Sequence, residues 1–231
     1  MRTGISIVMV ALAASLLVLG GRFLSDWAIH FHADPFINKL VNFQLFGILL
    51  ALVVLTITLV FTPSSVTYLS IGKLSAIADK SKWLAINGES SWLKNGLQFL
   101  IFITLGTAIF MYLGLKYTNT SNNFSWSFMP FVLLFSLSNS LFEEIIFRFA
   151  VIGNLDGRVA KDMILIISAV LFGLPHFYGN PGGITGVIMS AALGFILAKA
   201  TYETHGLGIA WVIHFVQDIV IFTAIFMMNA K

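Results

Sequence analysis

The chain of 231 residues has no cysteine. This excludes disulfides, thiolate nucleophiles and every cysteine-based metal site. Charge is also scarce. Only 10% of the residues are Asp, Glu, Lys or Arg, where a soluble domain carries about 25%. No glycine-rich phosphate loop occurs, which argues against nucleotide chemistry, and no H-E-x-x-H zinc signature is present. No internal repeat and no soluble domain stand out. What is there is apolar: 58% hydrophobic residues and a mean hydropathy of +0.93. The expected fold is an all-α, polytopic transmembrane bundle of about seven (six to eight) helices, one integral-membrane domain over 1–231. In that class a net charge of +3 and a pI near 9.2 reflect basic loops on one side of a membrane, not affinity for nucleic acid.

Hydropathy places the spans at Ile5–Gly21, Phe43–Phe61, Leu97–Lys116, Phe128–Ile152, Asp162–Phe177, Ile184–Thr201 and Leu207–Met228. The first follows Arg2 like a signal peptide, but it lacks a clear A-x-A cleavage site before Gly20-Gly21-Arg22, so a retained helix is expected. Between spans two and three, Ile71, Leu74, Ile77 and Ala78 recur at helical spacing among lysines, which predicts an interfacial amphipathic helix over 70–86, with a plain solvated loop as the alternative. The sequons at Asn119 and Asn123 matter only in a secretory pathway. Lys73, Lys80, Lys82, Lys94, Arg158, Lys161 and Lys199 fall on one side of this topology, and Arg22, Lys39, Lys116 and Lys231 on the other. The positive-inside rule then puts the N-terminus in the cytoplasm. Short loops and the lack of an organelle-targeting segment fit a prokaryotic cell membrane.

Ionised groups at membrane depth are expensive and are usually kept for function. Glu143-Glu144-Ile145-Ile146-Phe147-Arg148 puts three of them in one apolar run. On a helix Glu144 and Arg148 are four apart and can pair, which leaves Glu143 free for chemistry. His176 follows Phe172-Gly173-Leu174-Pro175, and His214 precedes Asp218 by four residues on a helix face. A carboxylate so placed can orient an imidazole and fix its tautomer. Such a set can hydrolyse an amide in two ways. Glu143 can take a proton from water while a histidine stabilises the oxyanion. Alternatively Glu143, His176 and His214 form a ligand set that suits zinc. Ser136, Ser138 and Ser140 precede the Glu pair and read as small contacts between helices. His30, His32, Asp34 and His205 read as loop polarity.

Glu143-Glu144-x-x-x-Arg148, Phe172-x-x-x-His176 and His214-x-x-x-Asp218, in that order, resemble the three motifs of the CAAX protease and bacteriocin-processing family, which includes the type II CAAX prenyl endopeptidases. The resemblance covers about 128–231. It implies an intramembrane protease acting on a membrane-associated protein or peptide. Glu143 and His176 would activate water, and His214 and Asp218 would stabilise the oxyanion or complete a metal site. Glu144, Arg148 and Phe172 would support them. The third motif ends in Asp here, where eukaryotic members have Asn. The cavity would open to the cytoplasm. Two other classes compete. A proton-coupled transporter also uses intramembrane Glu, His and Asp, but these residues all lie in the second half of the chain, without the paired interruptions such transporters show. The third is a non-catalytic immunity or scaffold membrane protein.

Overall fold

The computed structural model describes residues 2–23, 29–118 and 124–229. The two sequons lie outside the described residues. The helices are α1 Arg2–Phe23, α2 Pro35–Phe61, α3 Trp92–Tyr117, α4 Met129–Glu144, α5 Ala150–Leu155, α6 Lys161–Gly173, α7 Gly183–Thr204 and α8 Gly208–Asn229. A π-helical stretch, Ile145–Phe149, joins α4 to α5 in one continuous rod. Among the described residues six helical stretches are long and apolar enough to cross a membrane: Pro35–Phe61, Trp92–Tyr117, Trp126–Leu155, Lys161–Tyr178, Gly183–Thr204 and Gly208–Asn229. The chain is a multi-pass membrane protein built as an all-helical bundle. The apolar part of α1, Ile7–Gly20, is shorter than those six, yet Val10, Ala13, Ala14 and Leu17 are buried in the main core. Leu12 and Leu16 of α1, Leu49 and Leu52 of α2, and Phe102 and Leu105 of α3 stay exposed. Helices apolar all round are what a lipid solvent requires.

The bundle has two unlike ends. At one, Phe36, Phe128, Phe131 and Phe135 stack on or edge against Phe226. There Asp34 caps α2 by accepting from the N–H groups of Phe36 and Ile37, with Pro35 at the first helical position, where its missing N–H costs nothing. His32 Nδ1 accepts from Asp34 N–H, which ties this loop to the cap. The other end carries most of the lysines and is knitted by long-range hydrogen bonds. Thr62 donates to Asn154 at 2.9 Å and Tyr68 to Asp156 at 2.8 Å.

The expected amphipathic helix over 70–86 does not form. That segment is irregular, with isolated antiparallel bridges from Ile77 to Ser91 and from Ser81 to Ile86. Tertiary anchoring overrides its helical periodicity. Lys73 N–H donates to Thr204 O, Leu207 N–H to Ser70 O and Trp92 N–H to Ala76 O. The central anchor is Glu203. Its carboxylate takes hydrogen bonds from Lys161, Lys199, the Trp92 indole N–H and the Asp79 backbone N–H. Glu203→Ala is expected to strand Lys199 and to leave Lys161 with Asp79 as its ion-pair partner, and breaking a buried ion pair costs about 3–5 kcal/mol. The expected readout is faster tryptic cleavage at Lys73, Lys80 or Lys82 with helical content unchanged. An unchanged cleavage rate would contradict the anchoring role.

Lys161 also pairs with Asp79 and holds that carboxyl below its ordinary value. A depressed carboxyl contributes stability that is complete above its unfolded pKa, about 3.9, and is lost as pH falls through the lower folded value. The same segment should therefore become protease-sensitive in acid below about pH 4.

Candidate active site

On the helix that carries the Glu pair, Asn139 and Glu143 sit a turn apart on one face. The regular α4 ends at Glu144, and the next five residues widen into the π turn. Such bulges occur mostly as single turns and often at functional sites. The Phe147 carbonyl inside the bulge accepts from the Ser168 hydroxyl of α6 at 2.7 Å. Glu144 and Arg148 pair across the bulge at 3.3 Å, and both are 0% exposed. The guanidinium also lies over the Phe172 ring, 3.8 Å from its centroid. This is a cation–π contact in a desolvated setting.

Glu144 has a second partner. His214 Nδ1–H donates to its Oε1 at 2.7 Å. The expected orienting carboxylate, Asp218, lies 3.7 Å from His214 Nε2, beyond hydrogen-bond range. The helical i,i+4 spacing put Asp218 near the ring. The carboxylate that holds Nδ1 comes from another helix, 70 residues away, and spacing along one helix cannot reveal it. The other ring nitrogen, Nε2, also faces Glu143 Oε2 at 3.5 Å. One imidazole thus touches three carboxylates and links α4 to α8.

His176 reaches the site through a break in its helix. After Gly173 the chain tightens into a 3₁₀ turn, Leu174–Tyr178, followed by a cis Asn180–Pro181 bond. Its Nδ1–H donates to the Phe172 carbonyl at 2.7 Å. In the neutral ring that leaves Nε2 as an acceptor. Close approach of α7 supports both residues. A Cβ on Gly194 would meet the Phe172 ring at 2.9 Å, and one on Gly186 would meet the carbonyls of Pro181 at 2.1 Å and His176 at 2.6 Å. Phe172 stands edge-on to His214 at 5.4 Å and tilted against His176 at 4.7 Å. It separates the two imidazoles and sets the position of each.

A cavity of about 590 Å³ opens onto this cluster. Glu143, His176, Asp218 and Asn139 line it, together with Leu40, Phe43, Phe147, Phe222 and Ile225. His214 is buried behind the carboxylates, 3% exposed, and is not part of the lining. The structure therefore brings Glu143, His176 and Asp218 to one space and gives His214 a place at its back wall. Asn139 escaped the sequence reading. It donates to Asp218 Oδ2 at 3.1 Å. The signal was present, since Asn139 is a polar residue one turn before Glu143 in an apolar run. Ser136 and Ser140 are buried and bond back to carbonyls four residues earlier, while Ser138 donates to Gln44 of α2.

The cavity does not open where the sequence placed its mouth. Lys39 and Leu40 lie near the start of α2, and Phe222 and Ile225 near the end of α8, so its wide part faces the phenylalanine-rich end. The lysine-rich end is closed by packed side chains such as Ile152 and Leu155, each 0% exposed. The expected opening beside Lys73 to Lys94 is corrected on that geometry.

Glu143, His176 and His214 were also weighed as zinc ligands. Among the described residues no three His, Asp or Glu side chains are grouped so as to hold a metal ion. Both Nδ1 atoms are hydrogen-bonded, one to Phe172 O and one to Glu144, so Nε2 is the ring nitrogen each histidine has left to offer. As placed, the set does not fit an ion, and no chemical step is derived through one. His30 and His32 take no part in the site.

Residues 125–220 match the family described as Rce1-like: type II CAAX prenyl endopeptidase Rce1-like. That segment contains all the motif residues of the cluster from Glu143 to Asp218. No match was found among curated proteins or solved structures.

Proposed function

From the relation of residues 125–220 to the CAAX protease and bacteriocin-processing family, we propose that this chain is an intramembrane endopeptidase. In this reading it hydrolyses a peptide bond of a membrane-associated protein or peptide with side chains alone. The observation that carries it is Glu143. Its carboxylate borders the cavity, and Oε2 has no hydrogen-bond partner among the described residues. A carboxylate at the edge of a space that can hold water, with Oε2 free of hydrogen bonds and 3.5 Å from His214 Nε2, is poised to take a proton.

The steps balance without a further reactant. Glu143 removes a proton from a water molecule that His176 Nε2 helps to orient. The hydroxide adds to the peptide carbonyl carbon. His214, protonated on both nitrogens among its three carboxylates, gives Nδ1–H to Glu144; once Glu143 carries the water proton, its hold on Nε2–H weakens and that N–H can turn to the oxyanion. Glu143 then delivers the proton to the leaving amide nitrogen as the C–N bond breaks. The proton left on the new carboxyl group passes to the released amine, and the products are a carboxylate and an ammonium group. Asp218, held by Asn139, places a negative charge beside His214 Nε2 and makes no bond to the reacting atoms.

The test is cleavage by the purified full chain in liposomes that carry membrane-tethered peptides, with products identified by mass. Wild type should release new termini. Asp218→Asn should retain measurable turnover, because the amide oxygen can still accept at the position of the carboxylate. Metal content measured on the same samples separates positioning from ligation. Loss of a bound ion together with all activity in Asp218→Asn would replace this mechanism with a metal-based one. The transporter reading has no comparable support: the polar cluster is closed at the lysine-rich end by packed apolar side chains.

A further inference from the structure

The two ends of the bundle differ in charge, and the cavity belongs to the poorer one. Lys73, Lys80, Lys82, Lys94, Arg158 and Lys161 cluster where α2 finishes and α3, α6 and α8 begin. Lys199, one turn before the end of α7, joins them through Glu203. At the opposite end the cations with described side chains are Lys39 and Lys116. Cationic loops are retained on the cytoplasmic side. The cavity extends away from them. Its outer lining comes from Lys39, Leu40 and Phe43 at the start of α2, Phe222 and Ile225 near the end of α8, and the turn at Gly179 and Asn180. Behind the carboxylates, Ile146, Phe149, Ile152, Leu155, Ile164 and Leu165 are at most 1% exposed and block the lysine-rich end.

We propose that the site is served from the non-cytoplasmic side of the membrane. Its substrate is a membrane-tethered peptide presented at the outer leaflet. Apolar residues of that peptide enter between Leu40, Phe43, Phe222 and Ile225, and its scissile bond reaches Glu143 past Lys39. A cytoplasmic lipidated tail would meet the closed end. The word substrate rests on the endopeptidase reading; the access route does not.

Because the native chain has no cysteine, single-cysteine variants report access cleanly. Ser127→Cys marks the phenylalanine-rich end, Lys80→Cys the lysine-rich end, Lys39→Cys the cavity mouth and Glu143→Cys its floor. Each is expressed as the full chain in intact bacterial cells and treated with a membrane-impermeant maleimide. For Glu143→Cys a small impermeant methanethiosulfonate is used. Ser127→Cys and Lys39→Cys should label in intact cells, and Glu143→Cys should react from the same side. Labelling of Lys80→Cys should be lost until the membrane is opened. Labelling of Lys80→Cys in intact cells would overturn the orientation. Reaction of Glu143→Cys only after the membrane is opened would overturn the route. If Glu143→Cys fails to fold, Lys39→Cys and Lys80→Cys still decide between the two ends. A chain that labels as expected but cleaves no peptide would refute the protease and leave the access route standing.

Discussion

Glu143→Gln is expected to abolish cleavage while the protein folds and purifies like wild type. A general base contributes about 10²–10⁴-fold, and the Gln amide cannot take a proton from water. Folding should survive for a structural reason. Glu143 sits at the cavity edge, 9% exposed, and its Oε2 accepts no hydrogen bond that the substitution would strand. His214 keeps Glu144 at 2.7 Å and Asp218 at 3.7 Å. The measurement is turnover beside thermal unfolding in the same detergent. Full cleavage by Glu143→Gln would sink the proposed mechanism. Loss of folding together with activity would move Glu143 from chemistry to architecture.

Arg148→Ala should do the opposite and remove folded protein. Its guanidinium fills the space between Glu144 and the Phe172 ring, at 3.3 Å from the one and 3.8 Å from the centroid of the other. Without it, Glu144 keeps only His214 as a charge partner and Phe172 loses the group packed on its face. Breaking a buried pair in this way costs about 3–5 kcal/mol, a large share of the roughly 5–15 kcal/mol that separates folded from unfolded states. Yield of monodisperse protein and its unfolding temperature are the readouts. Removing both charges, as Glu144→Leu with Arg148→Met, should recover part of the folded yield, because no charge is then left buried alone. It should not recover cleavage, since His214 would have lost its hydrogen bond at Nδ1. A single Arg148→Ala variant as stable as wild type would show that the pair is dispensable.

Much of this protein was written in one-dimensional patterns. Scarce charge and long apolar runs determine a helical membrane bundle, because only a helix satisfies its own backbone in lipid. The pairing of Glu144 with Arg148 follows from four-residue spacing, a local property that survives even the π turn between them. The break before His176 has a local cause in Pro175, since proline removes a donor and crowds the preceding turn. The order of the three motifs pointed to the family relation that residues 125–220 carry.

Other features depend on which helices meet, and spacing along one helix carries no information about that. Glu144, not Asp218, holds His214, because α4 and α8 pack side by side and bring positions 70 residues apart to 2.7 Å. His214 became the back wall of the cavity and not its lining for the same reason. The segment over 70–86 has a helix-like pattern but is drawn into turns by Glu203 and by the backbone of 204–208. The direction of the cavity is likewise tertiary. Charge counting assigns the two ends of the bundle, but only the packing of Ile146, Phe149, Ile152 and Leu155 closes one of them. Local sequence determined the elements and the chemical groups they carry. Contacts between distant helices decided which group holds which, and which end of the bundle is open.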